Sequence, residues 1–308
     1  MRVRVRVPAT SANLGPGFDA LGLALALHNE VIGEEADEVA VAVEGEGAAR
    51  LDAGAKNVVA RGVALGFEVA GRPFRGARLR CVNRIPLSRG LGSSAAAWVG
   101  GLLAANALLG EPIDRDGLLA AATRAEGHPD NVAAALLGGL TVSCADGPRV
   151  TAVSLPLPAG IDWVVLVPET ESSTHEARAV LPDVVPRADA VFNVQRVSLL
   201  LAALGAGRAD LLDLAMQDRL HQPYRRRLFP WMEEVAAAGR RAGALGCVLS
   251  GAGPCLLAAV PARGGQVVAA SMAEALLAAG IAGQALHLPV DPRGATWERL
   301  PQTGAAHN

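Results

Sequence analysis

Three blocks rich in glycine, serine and proline have the residue types and spacing that chemistry at a main-chain loop would use. They are "VPATSANLGPGFDALGLAL" from Val7, "IPLSRGLGSSAAAW" from Ile85 and "LSGAGPC" from Leu249. In the second, Gly90 and Gly92 let the backbone turn and let a ligand come close to it. The Ser-Ser-Ala-Ala-Ala that follows reads as a helix start, with serine as cap and alanine as helix former. A glycine-rich turn feeding a helix N-terminus favours an anion, because unpaired amides and the positive end of the helix dipole point the same way. The block is not a Walker A loop: "GLGSSAAA" has no lysine where that motif requires one. Taken singly, each block is most simply a tight turn; three in this order over one chain carry the argument.

A fourth segment, "EGHPDNVAAALLGG", places Glu126, His128, Asp130 and Asn131 together. His128 and Asp130 can both accept a proton from an alcohol. Asn131 cannot act as a base, but its amide can orient a hydroxyl. Alone, Glu126 is a solvated charge at a helix end, Asn13 and Asp19 are turn-capping residues, and Arg178 in "STHEARAVLP" and Arg225 in "LHQPYR" are surface charges.

The elements that must position these residues are partly visible. Val3, Val5 and Val7 alternate with Arg2, Arg4 and Arg6 as a strand that Pro8 stops, followed by a turn-rich loop through Leu25. Strands are predicted at Val39–Val43 and Ala77–Val82. Helices are predicted at Asn57–Val69, Ser94–Leu109, Ile113–Glu126 with Asp114 as its cap, and from Pro129 onward. The prolines and glycine of "SLPLPAGIDWVVLVPE" mark a boundary, which divides the chain into 1–155 and 156–308. Beyond it come a strand at Trp163–Val167, helices at Ala190–Leu204 and Asp210–Met216, strands at Gly246–Ser250 and Leu256–Val260, a helix at Gly265–Ala279 and a frayed tail, "PQTGAAHN". Helices against strands of this kind make an α+β chain.

Composition narrows the function classes. The 308 residues are 51% apolar with a formal net charge of -2, which excludes a largely disordered chain and gives no nucleic-acid surface. Lys56 is the only lysine, so chemistry that needs a catalytic lysine is hard to place. Cys81, Cys144, Cys247 and Cys255 are far apart with no CxxC pair, which suits a reducing compartment and suggests neither disulfides nor zinc. The opening "MRVRVRV" lacks the apolar core of a signal peptide, and the expectation is a cytoplasmic protein without a membrane span.

With "VPATSANLGPGFDALGLAL", "PLSRGLGSSAAA", "EGHPDNVAAALLGG", "STHEARAVLP", "FNVQR", "LHQPYR" and "SGAGPC" in series, the chain resembles the GHMP small-molecule kinases over nearly its whole length. That family is named for galactokinase, homoserine kinase, mevalonate kinase and phosphomevalonate kinase. Within it, the strings are most similar to the branch acting on the amino acid L-homoserine. The resemblance implies a two-domain GHMP kinase fold: an N-terminal domain like the second domain of ribosomal protein S5 and a C-terminal ferredoxin-like plait, with ATP and substrate between them. It implies ATP and Mg²⁺ as cofactors and a homodimer.

The resemblance also assigns roles. Pro86, Leu87, Ser88, Arg89, Gly90, Leu91, Gly92, Ser93, Ser94, Ala95 and Ala96 would form the loop and helix start around the ATP phosphates, with Asn57 and Val58 lining the adenine pocket. Ser94 and Glu126 would ligate Mg²⁺, a hard-oxygen pairing suited to that ion. Asp19 would take the substrate ammonium and Asn13 a further polar contact. Arg178 and Arg225 would clamp the carboxylate, and Thr174 and Gly251 would complete the site. Asn131 stands where other branches carry a catalytic aspartate, which implies direct transfer without a carboxylate base, Ser94, Glu126 and Asn131 being the catalytic set. Arg196 in "FNVQR" reads as structural, and Cys255 as a small core residue. Another kinase of the family, or a catalytically silent ligand sensor on the same fold, are the alternatives.

Overall fold

The computed structural model describes residues 1–301; the tail read as frayed lies, from residue 302 on, outside the described residues. In chain order the first part comprises β1 (Arg2–Ala12), β2 (Leu21–Glu35), β3 (Ala40–Gly45), α1 (Val58–Val69), β4 (Ala77–Asn83), α2 (Ser93–Leu108), α3 (Arg115–Glu126), α4 (Asp130–Leu137), β5 (Leu140–Asp146) and β6 (Arg149–Leu155). The second part comprises β7 (Ile161–Pro168), α5 (Thr174–Ala179), α6 (Arg187–Gly205), the short α7 (Leu212–Ala215) and α8 (Gln222–Arg225), α9 (Met232–Arg241), β8 (Gly246–Leu249), β9 (Leu256–Pro261), α10 (Gly265–Ala278), β10 (Gly283–His287) and β11 (Thr296–Leu300).

Two sheets organise these elements. The first has seven strands in the order β11-β1-β2-β4-β3, with β5 pairing a different stretch of β2 and β6 continuing from β5. The second runs β10-β7-β9-β8, all antiparallel. Numbered within that half, its strands lie in the order 4-1-3-2 with helices after the first and third, the ferredoxin-like arrangement. The chain's last strand, β11, returns to the first sheet beside β1.

Several expectations are corrected here. Pro8 does not stop β1; the strand continues to Ala12, and a register shift between Pro8 and Ala9 accommodates the missing N–H. Much of the segment read as a loop is β2, 15 residues long. Its first half alternates large Leu21, Leu23 and Leu25 with small Gly22 and Ala24, and all five are buried. Both faces are covered, so the polar-apolar alternation that marks a half-buried strand is absent. The serines after Gly92 do not cap α2. Gly92 is the N-cap at φ 68°, no side chain caps the first turn, and Ser93 and Ser94 lie inside it. Asp114 does cap α3, accepting from Gly117 N at 2.8 Å. The strands β5, β6, β10 and β11 have no counterpart in the sequence reading.

Among the described residues one helix, α6, is long and apolar enough to cross a bilayer, with a mean hydropathy of 1.2. It carries Arg187, Asp189 and Arg196, and it buries Leu200, Ala203 and Leu204 in the core.

The small residues of β2 have a positional role. A Cβ built on Gly22 would sit 2.2 Å from Asp130 O, so this glycine is what lets the start of α4 lie directly on the sheet. Replacing a strand glycine by alanine ordinarily stabilises by about 0.5–1 kcal/mol. Gly22→Ala is expected to do the opposite, lowering the thermal midpoint by several degrees because backbone must move. A midpoint at or above that of the parent would remove this account of how α4 is placed.

Candidate active site

Two adjoining cavities meet at Ser88, Ser93 and Ser94. One, about 270 Å³, is bounded by β2, α1, β4 and the start of α2, with Val31, Val59 and Cys81 on its apolar wall. The other, about 210 Å³, lies between the turn after β1, the glycine loop before α2, the start of α4, α5 and Arg225. A larger cavity of about 510 Å³ lies behind α8 and β8. Its arginines pair with its own acids or with Asp189 nearby: Arg226 with Glu233, Arg240 with Asp213 at 3.8 Å and Arg219 with Asp189 at 3.2 Å.

The glycine loop is shaped by close packing. Gly90 and Gly92 both have positive φ, and a Cβ on Gly90 would meet Ser250 O at 2.2 Å. Ser88 also adopts a positive φ, and its carbonyl accepts from Ser172 N at 2.9 Å. The Arg89 guanidinium is engaged by the protein itself: it donates to the carbonyls of Leu87, Pro168 and Glu169 and lies 3.4 Å from the Glu171 carboxylate, tying the loop to the end of β7. Leu91 and Ala95 are buried, Pro86 lines the smaller cavity, and Leu87 and Ala96 line the larger of the two. With no capping side chain, the first amides of α2 are available to an anion.

At the start of α2, Ser94 Oγ donates to Glu126 Oε2 at 2.7 Å. The Glu126 side chain is 10% exposed, with His128 Nε2 at 3.9 Å its one ion-pair neighbour among the described residues. Burial, outweighing the Ser94 hydrogen bond, pushes the Glu126 carboxyl above its ordinary range. For His128, burial opposes the charge, yet the Asp130 carboxylate accepting from Nδ1 at 2.6 Å wins and raises its pKa. The same Asp130 Oδ1 accepts from Asn131 N at 2.7 Å.

The remaining residues form a charged floor. Asp19 and Arg178, predicted as partners of opposite ends of a ligand, are bonded to each other by two hydrogen bonds of 2.6 and 3.0 Å. Arg225 is not a surface residue: it is 2% exposed. Its guanidinium donates to Ala177 O, Gly251 O and His221 Nδ1, and it has no carboxylate partner among the described residues. Burial foremost, and then Arg178 nearby, push its pKa down to about 10, so it remains charged at neutral pH.

Three neighbouring residues had no role in the sequence reading. Phe18 lies 5.4 Å beneath the Arg178 guanidinium and 5.5 Å beneath that of Arg225, and it stacks on His221. His221, whose pKa burial lowers, donates Nε2–H to Gly15 O and accepts from Arg225 at Nδ1. Asp218 accepts from the backbone of Leu220, His221 and Gln222, which fixes the turn leading into α8.

The remaining assigned residues are held as follows. Asn13 donates to Gly251 O and accepts from Asp19 N. Thr174 opens α5 behind the Ser173 cap and lines the smaller cavity. Asn57 spends its side chain capping α1 and on Asp52 O, with Val58 beside it on the wall of the larger of the two adjoining cavities. Arg196 lies over the Phe192 ring at 4.2 Å.

The chain belongs to the GHMP kinase family: residues 54–139 match the GHMP kinases N terminal domain and residues 200–278 the GHMP kinases C terminal domain. It is 45% identical over 294 residues to the homoserine kinase of Carboxydothermus hydrogenoformans, covering 95% of this chain and 96% of that one. With the homoserine kinase of Moorella thermoacetica it shares 50% identity over 254 residues, 82% and 86% of the two chains. The crystal structure of homoserine kinase from Cytophaga hutchinsonii superposes with a TM-score of 0.89 at 32% identity, over 96% of this chain and 97% of that one.

The raised Glu126 pKa has a stability consequence. Its stabilising contribution is full below the ordinary value of 4.5 and is lost as pH rises through the folded value. In metal-free buffer at neutral pH, Glu126→Gln is therefore expected to melt above the parent, by about 2–4 °C for each kcal/mol of relief, with the gap closing toward pH 4.5. Scanning calorimetry in EDTA checks this; a parent more stable than the variant at pH 7 contradicts it.

Proposed function

We propose that the chain transfers the terminal phosphoryl group of ATP to the side-chain hydroxyl of L-homoserine. The observation that carries this reading is the buried, carboxylate-free cation of Arg225 beside the self-compensated Asp19–Arg178 pair. An amino-acid zwitterion suits this arrangement, its carboxylate taken by the two guanidinium groups and its ammonium by Asp19. The names of the relatives described above, each a homoserine kinase, support the same substrate.

The neighbouring groups fit a magnesium nucleotide. Ser94 Oγ and the partly buried Glu126 carboxylate form a hard-oxygen pair beside amides that lack a capping side chain, and both would hold Mg²⁺. That ion would neutralise charge on the phosphate oxygens. The apolar cavity walled by Val31, Val59 and Cys81 takes the adenine. Asn131 faces the substrate hydroxyl and orients it. The oxygen–phosphorus bond to homoserine forms as the bond to the ADP oxygen breaks, and the hydroxyl proton leaves late to a phosphoryl oxygen. Positioning and electrostatics suffice for a loose transition state of this kind. On that resemblance we also propose a cytoplasmic homodimer acting in threonine biosynthesis.

Coupled ADP-release assays with L-homoserine, mevalonate, galactose and no substrate test the reading; no excess over background with homoserine ends it. Arg178→Ala and Asp19→Ala each leave one charge of the pair uncompensated, and a charged hydrogen bond is worth about 1.5–3 kcal/mol. Each is expected to raise the homoserine KM roughly 10- to 100-fold with a smaller change in kcat. The corresponding amino alcohol and hydroxy acid, each lacking one charge, are expected to be poor substrates of the parent. An unchanged KM in both variants removes these residues from the substrate site.

Asp130 is held by His128 and by the Asn131 backbone N–H, inside the first turn of α4, and is not free to act as a base. Asp130→Asn is expected to lower thermal stability while kcat keeps its pH profile, whereas a general base would cost roughly 10²–10⁴-fold and erase a titrating limb. A stable Asp130→Asn protein with no activity would overturn direct transfer.

A further inference from the structure

Thr10, in "PATSAN", is fully buried and carries two hydrogen bonds that lead in different directions. Its backbone N–H donates to Leu91 O, 3.1 Å away in the glycine loop. Its hydroxyl donates to Asn131 Oδ1, 2.7 Å away at the start of α4. Gly92 is what lets these segments meet, since a Cβ there would lie 1.9 Å from Thr10 Oγ1 and 3.1 Å from Asn131 Oδ1. Asn131 is otherwise held only through its main chain, by Asp130.

We infer that Thr10 is a positioning residue: its hydroxyl occupies the carbonyl side of the Asn131 amide and so turns the NH₂ group toward the substrate hydroxyl. An asparagine amide can present either an acceptor or a donor; here the threonine hydroxyl donates to Oδ1 at 2.7 Å, which leaves Nδ2 as the end that faces the cleft. With Oδ1 engaged, Asn131 Nδ2 donates to a lone pair of the substrate oxygen. The hydroxyl proton then points away from Asn131, toward the phosphoryl oxygens that receive it. Thr10 also holds Leu91, so the amide and the glycine loop are referred to the same strand residue, and the distance between nucleophile and phosphate is set at one point of β1.

This inference rests on the reading of Asn131 given above, and the test separates the two. Initial-rate kinetics and melting temperatures are measured for Thr10→Val, Thr10→Ser, Asn131→Ala and the Thr10→Val/Asn131→Ala double variant. Thr10→Val is expected to lower kcat about tenfold with the ATP KM within about twofold of the parent, as befits loss of one buried hydrogen bond. Thr10→Ser is expected to restore kcat to within about threefold. The double variant is expected to be no slower than Asn131→Ala alone, because the hydroxyl has nothing left to position.

Parent-like kcat in Thr10→Val, or losses that multiply in the double variant, overturns the role of Thr10 while leaving Asn131 in place. Parent-like kcat in Asn131→Ala overturns both. If Thr10→Val does not fold, Thr10→Ala and Thr10→Ser decide together: a tenfold lower kcat in Thr10→Ala that Thr10→Ser recovers supports the inference, and equal kcat in the two variants contradicts it.

Discussion

The cleft depends on one buried seam, where three distant segments share hydrogen bonds around Ser250. The Ser250 hydroxyl donates to Gly90 O at 2.7 Å and lies 2.8 Å from Ser11 Oγ. Around it Cys255 N donates to Arg89 O, Gly251 N to Ala12 O and Asn13 Nδ2 to Gly251 O. The glycine loop, the end of β1 and the turn after β8 are therefore one hydrogen-bonded unit. A buried donor or acceptor left without a partner costs about 1–3 kcal/mol, so opening the seam at one point exposes the cost of several. The two sheets meet there, and the glycine loop inherits its rigidity from both.

Electrostatics at the cleft follow from what that seam excludes. Glu126 and Arg225 are both largely buried, and neither has a full counter-charge among the described residues. Asp19 and Arg178 do compensate each other, and Phe18 supports both guanidinium groups from below. The cleft thus carries one carboxylate suited to a cation, one guanidinium suited to an anion, and one ion pair that a zwitterion can replace end for end. Ligands that bring only one charge disrupt that pair without restoring it, which is a physical basis for selecting an amino acid over a simple alcohol.

Local features were legible in the sequence because their causes are local. The glycine turn before α2, the Asp114 cap of α3, the start of α1 at Asn57 and the boundaries of α2, α6 and α10 all depend on residues within a few positions of one another. The long motif strings likewise identified the family, and with it the fold. The strand β2 was hidden because burial on both faces erased its alternation. The strand β11 was hidden because its partner, β1, lies nearly 300 residues away in the chain.

What tertiary structure alone decided was which groups face which. The sequence by itself marked Asp19, Arg178, Arg225, Ser94, Glu126 and Asn131 as polar residues in a kinase-like pattern. It held no sign that Asp19 and Arg178 bond to each other, that Arg225 is buried, or that Thr10 holds the Asn131 amide. Those pairings join residues more than 100 positions apart, and they exist only because β2 carries a glycine where α4 crosses it and because the turn after β8 closes on the glycine loop. Propensity and capping act over one turn of chain, whereas a charge or hydroxyl acquires its partner from packing, and packing is a property of the folded whole.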